Sequence, residues 1–331
     1  MRILVAGGAG FVGSHLCRRL LSDGHSVHCV DNLITGDFAN LADLRDAPEF
    51  TFENADVANA AERDVDVVFH LASPASPVDY ERLPLETLAA NSLGTWRLAE
   101  LARAAGASFT FVSTSEVYGD PLVHPQPESY WGNVDPVGPR ACYDEGKRFG
   151  EALVTSMRRV QGLRATIVRV FNTYGPAMRR DDGRVIPELM SAAIAGRPLV
   201  VHGDGRQTRS FMFVSDLVEG LVRIGFDRKA DGEVFNLGNP HEITIRELAE
   251  LVRDLLAPGK EIVRIEAREG DPRQRKPDIA KVQRWYGWNP LVPLDEGLRL
   301  TASWFAPGRP SEGAAADPAI NDPALTTNVP A

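Results

Sequence analysis

The sequence predicts an α/β protein with a doubly wound, mostly parallel β-sheet and a smaller C-terminal α/β lobe. Two observations support this fold class. In the first half of the chain, short apolar runs alternate with stretches of helical periodicity, which is the pattern of a parallel sheet covered by helices on both faces. After about residue 172 the loops lengthen, and glycine, proline and arginine become frequent.

The predicted elements of the first half follow one another as strand, helix and strand. Strands are predicted at residues 3–6, 27–30, 50–52, 65–71, 109–112 and 166–170, and helices at 14–21, 87–105 and 143–160. The two longer helices carry apolar residues at three- and four-residue spacing, as Leu88, Trp96 and Leu98 and as Phe149, Leu153 and Met157. Periodicity alone leaves open whether these residues face the core or a second subunit.

The second half predicts shorter elements and a tail. Helices are predicted at 187–195, 215–225 and 245–256, and strands at 199–201, 234–237 and 262–265. We expect residues 1–172 to form the first domain and 173–305 to form mainly the smaller lobe, with some segments returning to the sheet. The last 26 residues, 306–331, contain five prolines and little apolar bulk, which predicts a disordered tail.

Composition excludes several classes of protein. The 331 residues include 36 Lys plus Arg and 45 Asp plus Glu, a net charge of -9, which argues against a nucleic-acid partner. Cys17, Cys29 and Cys142 form no CxxC motif, so neither a disulfide framework nor a metal site is expected. No apolar run approaches the roughly 20 residues that span a bilayer, and the N-terminus lacks the features of a signal peptide. We therefore expect a cytoplasmic protein with no membrane partner.

A glycine-rich turn, residues 7–13, follows the first predicted strand and opens the first helix. Its GxxGxxG spacing is a variant of the dinucleotide-binding turn of Rossmann-type sheets, in which glycines let the backbone approach a pyrophosphate and free helix amides bind it. The second strand ends at Asp31. A carboxylate there accepts hydrogen bonds from ribose hydroxyls and repels a 2′-phosphate, which favours NAD over NADP.

Asp56 and Val57 follow the third strand. They are candidate contacts for adenine, although an ordinary strand end explains them equally well.

Tyr143 and Lys147 form a YxxxK motif and share one face of the predicted helix. The phenol can exchange a proton with a substrate hydroxyl, and the ammonium favours the phenolate. Free tyrosine titrates near 10, so a base at pH 7 needs a shift of about three units, or about 4 kcal/mol. One charge at about 4 Å supplies that order of energy at an effective dielectric near 20. The motif is specific here because the glycine turn, Asp31 and residues 113–115 (Ser-Thr-Ser) precede it in a fixed order.

On these motifs the chain resembles the extended short-chain dehydrogenases/reductases, and among them the UDP-glucuronate decarboxylases. The resemblance runs from residue 1 to about 305, and its most specific stretches are 70–77, 113–121, 138–148, 171–176 and 275–278. It implies a tightly held NAD, a homodimer and a UDP-sugar substrate. The cofactor-binding residues expected from the motifs and the resemblance are Gly7, Gly10, Phe11, Val12, Gly13, Asp31, Asn32, Asp56, Val57, Leu71, Ser73, Tyr143 and Lys147.

The resemblance also implies the chemistry. Tyr143 removes the proton of the sugar 4-hydroxyl while hydride passes from C4 to NAD, and Thr114 hydrogen-bonds the same oxygen. The 4-keto sugar is a β-keto acid, which loses carbon dioxide because the electrons move into an enolate that nearby donors stabilise. C5 is then protonated and hydride returns to C4, so UDP-glucuronate becomes UDP-xylose without net oxidation. The implied catalytic residues are Thr114, Ser115, Glu116, Tyr143 and Lys147.

Residue 115 helps to separate related activities. A sugar-nucleotide 4,6-dehydratase usually has Asp after the Thr, because expelling hydroxide calls for an acid, whereas this chain has Ser115. Glu116 either orients the sugar or manages the C5 proton. The alternatives are a UDP-glucuronate 4-epimerase, a 4,6-dehydratase and, from a different class, a non-catalytic dinucleotide-sensing protein.

The smaller lobe is expected to bind the nucleotide part of the substrate. The resemblance places Asn172, Arg209 and Arg275 near the diphosphate, where the planar guanidinium groups suit phosphates. Arg184 and Val185 are expected to line the uridine pocket, and Val200 to present its backbone to uracil.

Overall fold

The computed structural model describes residues 1–266 and 274–305, and the predicted disordered tail, 306–331, lies outside them. The strands of the described residues are, in chain order, β1 (Arg2–Ala6), β2 (Ser26–Asp31), β3 (Phe50–Asn54), β4 (Val67–His70), β5 (Ser108–Thr114), β6 (Arg164–Val170), β7 (Thr173–Tyr174), β8 (Leu199–His202), β9 (Thr208–Ser210), β10 (Met212–Phe213), β11 (Val234–Leu237), β12 (Glu242–Thr244), β13 (Ile262–Ile265) and β14 (Gln274–Arg275).

Seven of these strands form one parallel sheet in the order β11-β6-β5-β4-β1-β2-β3. Side chains along β1 alternate between two apolar clusters, with Ile3 and Val5 in one and Leu4 and Ala6 in the other. Both faces of the strand are therefore buried, as a sheet covered on two sides requires. The predicted doubly wound α/β fold is confirmed.

The helices of the described residues are α1 (Phe11–Ser22), α2 (Pro77–Arg82), α3 (Pro84–Ala89), α4 (Thr95–Ala105), α5 (Ala141–Gln161), α6 (Val185–Ile194), α7 (Val214–Phe226), α8 (Ile245–Leu256), α9 (Ala280–Tyr286) and α10 (Leu294–Phe305). The predicted single helix 87–105 is divided by a π-helical turn, Ala90–Gly94. Within that turn the amide of Asn91 donates to Ser73 Oγ at 2.8 Å and to the Thr87 carbonyl at 2.9 Å. The turn thus ties the helix to the loop that follows β4.

The smaller lobe contains a three-stranded sheet, ordered β12-β9-β14, and the parallel pair β8 and β13. Strand β11 instead leaves this lobe and pairs with β6 at the edge of the main sheet. Helix α8 begins with a capping box, in which Thr244 and Glu247 satisfy each other's backbone amides. These elements hold the lobe over the carboxyl ends of the main strands, where ligands of α/β sheets bind.

No helix in residues 1–266 and 274–305 is both long enough and apolar enough to cross a membrane.

Candidate active site

The glycine turn between β1 and α1 has no room for side chains. A Cβ on Gly7 would lie 2.7 Å from the Ala72 nitrogen, and one on Gly13 would lie 2.1 Å from the Gly7 carbonyl. Gly7 also has a φ of +83°, which side chains disfavour. No side chain caps α1, and its first turn contains no acidic residue. Its first amides therefore remain available to an anionic group.

Asp31 closes the far side of this turn. Its carboxylate accepts hydrogen bonds from the backbone amides of Ala9, at 3.0 Å, and Leu33, at 2.9 Å. Burial raises the pKa of Asp31, and these backbone bonds oppose the rise. The neighbouring Asn32 donates to Asp56 Oδ2 at 3.0 Å, so the ends of β2 and β3 form one polar wall.

A crevice of about 200 Å³ runs along this wall. Eleven of the predicted cofactor residues line it: Gly7, Gly10, Phe11, Val12, Gly13, Asp31, Asn32, Asp56, Val57, Leu71 and Ser73. The free helix amides suit a pyrophosphate, and the carboxylate suits ribose hydroxyls. The residues present therefore fit a dinucleotide with an unmodified 2′-hydroxyl.

A second cavity, of about 770 Å³, adjoins the crevice and shares Phe11, Leu71 and Arg184 with it. The five predicted catalytic residues line it: Thr114, Ser115, Glu116, Tyr143 and Lys147. Thr114 ends β5 and begins the short helix Ser115–Tyr118, whose Glu116 amide donates to Thr114 Oγ1 at 3.2 Å. The strand end and the first turns of α5 thus bring the motifs together.

Tyr143 is buried and hydrogen-bonded to Thr114. The ring of Tyr80 stacks on it, with centroids 5.2 Å apart and planes 8° from parallel. One turn along α5, Lys147 Nζ donates to the Val112 carbonyl at 2.9 Å. The phenol and the ammonium therefore stand on one helix face, as the YxxxK spacing predicts.

The surrounding residues do not lower the pKa of Tyr143, although the YxxxK motif predicts that they do. Burial raises the pKa of Tyr143, and the Thr114 hydrogen bond only opposes the rise. Burial also lowers the pKa of Lys147 to about 7, against the attraction of Glu151. Burial thus weakens the positive charge that Lys147 offers to a phenolate, so an additional positive charge beside it would favour the ionised Tyr143.

Glu116 is held by two arginines. Its two carboxylate oxygens pair with Arg140 and with Arg275. Burial opposes ionisation of Glu116, but the charges of these arginines outweigh it and lower its pKa to about 2. Glu116 is therefore a carboxylate at neutral pH and has no proton to give.

Arg275 reaches Glu116 from the smaller lobe. Strand β14 pairs with β9 and brings the guanidinium to Glu116, and its Nη2 donates to the Gly119 carbonyl at 3.3 Å. Its buried Nε has no hydrogen-bond partner among the described residues, and the residue lines the cavity. A donor of Arg275 therefore remains for a ligand, and its diphosphate role stays a prediction.

The other predicted substrate residues line the same cavity from the smaller lobe: Asn172, Arg184, Val185, Val200 and Arg209. The buried Nδ2 of Asn172 has no hydrogen-bond partner among the described residues, as suits a donor to a ligand. Arg184 donates to Asp182 Oδ2 at 2.7 Å.

Several residues at this site were not predicted from the sequence. Tyr80 and Arg140 line the cavity, and Asp144 lies behind them, buried next to Tyr143. Arg179 pairs with the buried Asp79 at 3.0 Å across the mouth of the crevice. Arg140 and Asp144 lie within residues 138–148, one of the stretches that carry the family resemblance, so the sequence could have indicated both. Nothing in the sequence singles out Tyr80.

Taken together, the parallel sheet, the dinucleotide crevice and the Thr–Tyr–Lys set define an enzyme of the nicotinamide-dependent type. The model of the NAD dependent epimerase/dehydratase family matches residues 3–238. The chain belongs to this family, which confirms the predicted NAD dependence.

Curated relatives at 47–49% identity are named UDP-glucuronic acid decarboxylases. UDP-glucuronic acid decarboxylase 3 of Arabidopsis thaliana is 48% identical over 306 residues, covering 92% of this chain and 89% of the relative. UDP-glucuronic acid decarboxylase 1 of Xenopus tropicalis is 47% identical over 304 residues, covering 92% of this chain and 72% of the relative. Among solved structures, UDP-glucuronic acid 4-epimerase from Bacillus cereus, in complex with UDP-glucuronic acid and NAD, matches with a TM-score of 0.83 and 28% identity, covering 92% and 98% of the two chains.

Proposed function

We propose that this protein converts UDP-glucuronate to UDP-xylose and carbon dioxide, using an NAD that ends the cycle in its starting oxidation state. The observation that carries the choice of reaction is Ser115, which lines the cavity beside Glu116, itself held as a carboxylate between Arg140 and Arg275. Expelling a hydroxide, as a dehydratase does, needs an acid at position 115, whereas a carboxylate that leaves as carbon dioxide needs none. Decarboxylase relatives at 47–49% identity support the same choice.

The glycine turn, the start of α1, Asp31 and the Asn32–Asp56 pair are proposed to hold NAD. When bound, NAD supplies a hydride acceptor and later a hydride donor at C4, together with a positive charge in its oxidised form. That charge adds to the charge of Lys147, whose pKa of about 7 makes it a weak partner for the Tyr143 phenolate.

Tyr143 is proposed to take the proton of the sugar 4-hydroxyl and to return it at the end of the cycle. Thr114, bonded to Tyr143, holds the same oxygen. Once C4 is a ketone, the C5 carboxylate is that of a β-keto acid, and carbon dioxide leaves as electrons move toward the C4 oxygen. Tyr143 and Thr114 then donate to a developing oxyanion, a stabilisation worth several kcal/mol in similar sites (about 3–4 per donor). C5 takes one proton from solvent in place of the lost carbon dioxide, which restores the C4 ketone before it is reduced.

The smaller lobe is proposed to bind the nucleotide, with Asn172, Arg209 and Arg275 at the diphosphate and Arg184, Val185 and Val200 around the uridine. Residues 1–172 are proposed to supply the cofactor site, and 173–305 mainly the substrate site. Residues of both ranges line one cavity, which supports a substrate site that lies next to the cofactor site.

The test is to incubate the purified protein with UDP-glucuronate and to follow carbon dioxide and the nucleotide product by mass spectrometry and NMR. We expect carbon dioxide and a UDP-pentose in equal amounts. A product that keeps six sugar carbons would instead indicate an epimerase or a dehydratase and would refute the proposal.

The chain is also proposed to form a homodimer through α3, α4 and α5. These helices pack on one another, and they expose large apolar side chains, namely Leu85, Leu88, Trp96 and Phe149. Large apolar side chains exposed on neighbouring helices are typical of an interface. Light scattering of the wild type and of Phe149→Glu tests this, and a wild-type monomer would refute it.

A cytoplasmic location is proposed as well. It is supported by the three cysteines, which are all free thiols, as a reducing compartment would keep them.

A further inference from the structure

The connection between β7 and α6, residues 175–184, joins two helices at the dinucleotide crevice. Near its start, His15 Nε2 of α1 donates to the Pro176 carbonyl at 2.9 Å. Near its end, a Cβ on Gly183 would lie 2.3 Å from Val78 Cγ2 of α2, so the backbone there packs against that helix. This connection, which we call the strap, therefore runs from α1 to α2.

The middle of the strap is joined to α2 by an ion pair at the wall of the crevice. Arg179 of the strap and Asp79 of α2 both line the crevice, as does Ala177 of the strap. Arg179 Nη2 donates to Asp79 Oδ1 at 3.0 Å. The pair thus links the segment that follows β7 to the segment that follows β4, with the crevice beside it.

The two halves of this ion pair are held to different degrees. The Asp79 residue is 5% exposed, Ser76 Oγ donates to its Oδ2 at 2.8 Å, and Arg82 of the same helix contacts its Oδ1 at 3.4 Å. The Arg179 side chain is 31% exposed, and its second ion pair is with the exposed Asp181 at 3.1 Å. Breaking the pair would therefore free the strap and leave the carboxylate in place.

The proposed reaction gives such a connection a use. The hydride that leaves C4 has to return to C4, so the site has to retain the reduced cofactor for a whole cycle. A segment of chain that closes on a bound ligand slows its release. The strap is attached to α1, whose first amides are proposed to bind the pyrophosphate, and its ion pair lies at the wall of the same crevice.

We propose that Arg179 and Asp79 are positioning residues that latch the strap against α2, so that NAD enters and leaves the crevice only when this ion pair opens. The inference deepens the proposed function and rests on it, since a reaction that returns its hydride needs a retained cofactor. Both partners of the pair are side chains of the protein, so the latch acts on entry and on release alike. Weakening it raises both rates and leaves Kd for NAD almost unchanged.

The size of the effect follows from the kind of bond that is lost. A hydrogen bond to a charged group changes an equilibrium by about tenfold or more, so Arg179→Gln should make the open strap about tenfold more frequent. Asp79 keeps Ser76 and Arg82 as partners in this variant, so we expect it to fold. Asp79→Asn should have the same effect, and the double variant should add nothing, because both changes break one pair.

The test uses the full chain loaded with NAD. The release rate is measured as the exchange of bound NAD for an excess of NAD labelled with ¹⁴C in the adenine. The relative affinity is measured by letting tagged wild type and untagged variant compete for a limiting amount of labelled NAD until equilibrium. The matched control is Arg82→Gln, which removes an arginine from the same carboxylate but from within α2, so that the strap stays joined.

We expect NAD to exchange about tenfold faster in R179Q than in the wild type or R82Q, with the label shared almost equally in the competition. Exchange at the wild-type rate in R179Q, or equally fast exchange in R82Q, overturns the proposal. So does a label that moves to the wild type in proportion to the faster release, because Arg179 would then bind NAD directly. A folded D79N that exchanges like the wild type has the same consequence.

Neither measurement contains a sugar substrate, so the outcome does not depend on the proposed reaction. A protein that shows the expected exchange rates but releases no carbon dioxide from UDP-glucuronate refutes the proposed reaction and leaves the latch standing. A protein that releases carbon dioxide while R179Q holds NAD as the wild type does refutes the latch alone.

Discussion

Replacing Glu116 with glutamine should destabilise the protein, because the ionised side chain holds two buried arginines. Its pKa of about 2 in the folded chain compares with 4.5 for a free glutamate. That difference corresponds to about 3 kcal/mol of stability from the charge. We therefore expect the variant to lose up to about 3 kcal/mol of stability. For a chain of this length that lowers Tm by up to about 5 °C.

The lowered pKa of Glu116 determines how its stabilising effect changes with pH. Because the folded pKa of Glu116 is depressed, its stabilisation is complete above the unfolded value of 4.5 and is lost as the pH falls toward about 2. Calorimetry of wild type and E116Q should therefore show a constant gap in Tm between pH 6 and pH 8, which narrows below about pH 4.5. The matched control is Glu145→Gln, whose side chain is 38% exposed. If E116Q melts with the wild type at pH 7, the two ion pairs do not stabilise the fold and the reasoning fails.

Three further changes test other parts of the site. Tyr143→Phe should lower kcat for carbon dioxide release by at least about 10²-fold, as loss of a general base does; near-normal turnover would show that another group takes the proton. Asp31→Asn should reduce the amount of NAD that co-purifies and should weaken the discrimination against NADP about tenfold, as measured by calorimetry. Unchanged selectivity would mean that the Asp31 carboxylate does not bind the ribose hydroxyls. Gly150→Ala places a Cβ 2.3 Å from Phe111 Cζ and should cost about 1–3 kcal/mol in denaturant unfolding; a neutral result would show that the ring moves freely.

Much of the main sheet could be predicted because its signals are local. Buried parallel strands are short apolar runs, and helices show their own period. Strands predicted at 3–6 and 27–30 appear as Arg2–Ala6 and Ser26–Asp31, and the helix 245–256 has the predicted bounds. The division of helix 87–105 escaped prediction, because the π-helical turn depends on a hydrogen bond from Asn91 to Ser73 in a distant loop.

The sequence motifs predicted only part of the candidate active site. They identified the residues that line the cavity, but not the charges that these residues carry there. The YxxxK motif predicts that Lys147 lowers the pKa of Tyr143, yet burial acts on both groups in the direction that disfavours charge. The role of Glu116 was left open by the sequence.

By itself, the order of residues determined the fold class, the dinucleotide turn and the set of side chains at the catalytic centre, since each depends on spacing within one or two neighbouring elements. Only the tertiary structure decided that Arg275 crosses from the smaller lobe to Glu116, and that Arg140 pairs with the same carboxylate. Ionisation depends on burial and on charges brought together from distant parts of the chain, and no local pattern encodes those distances.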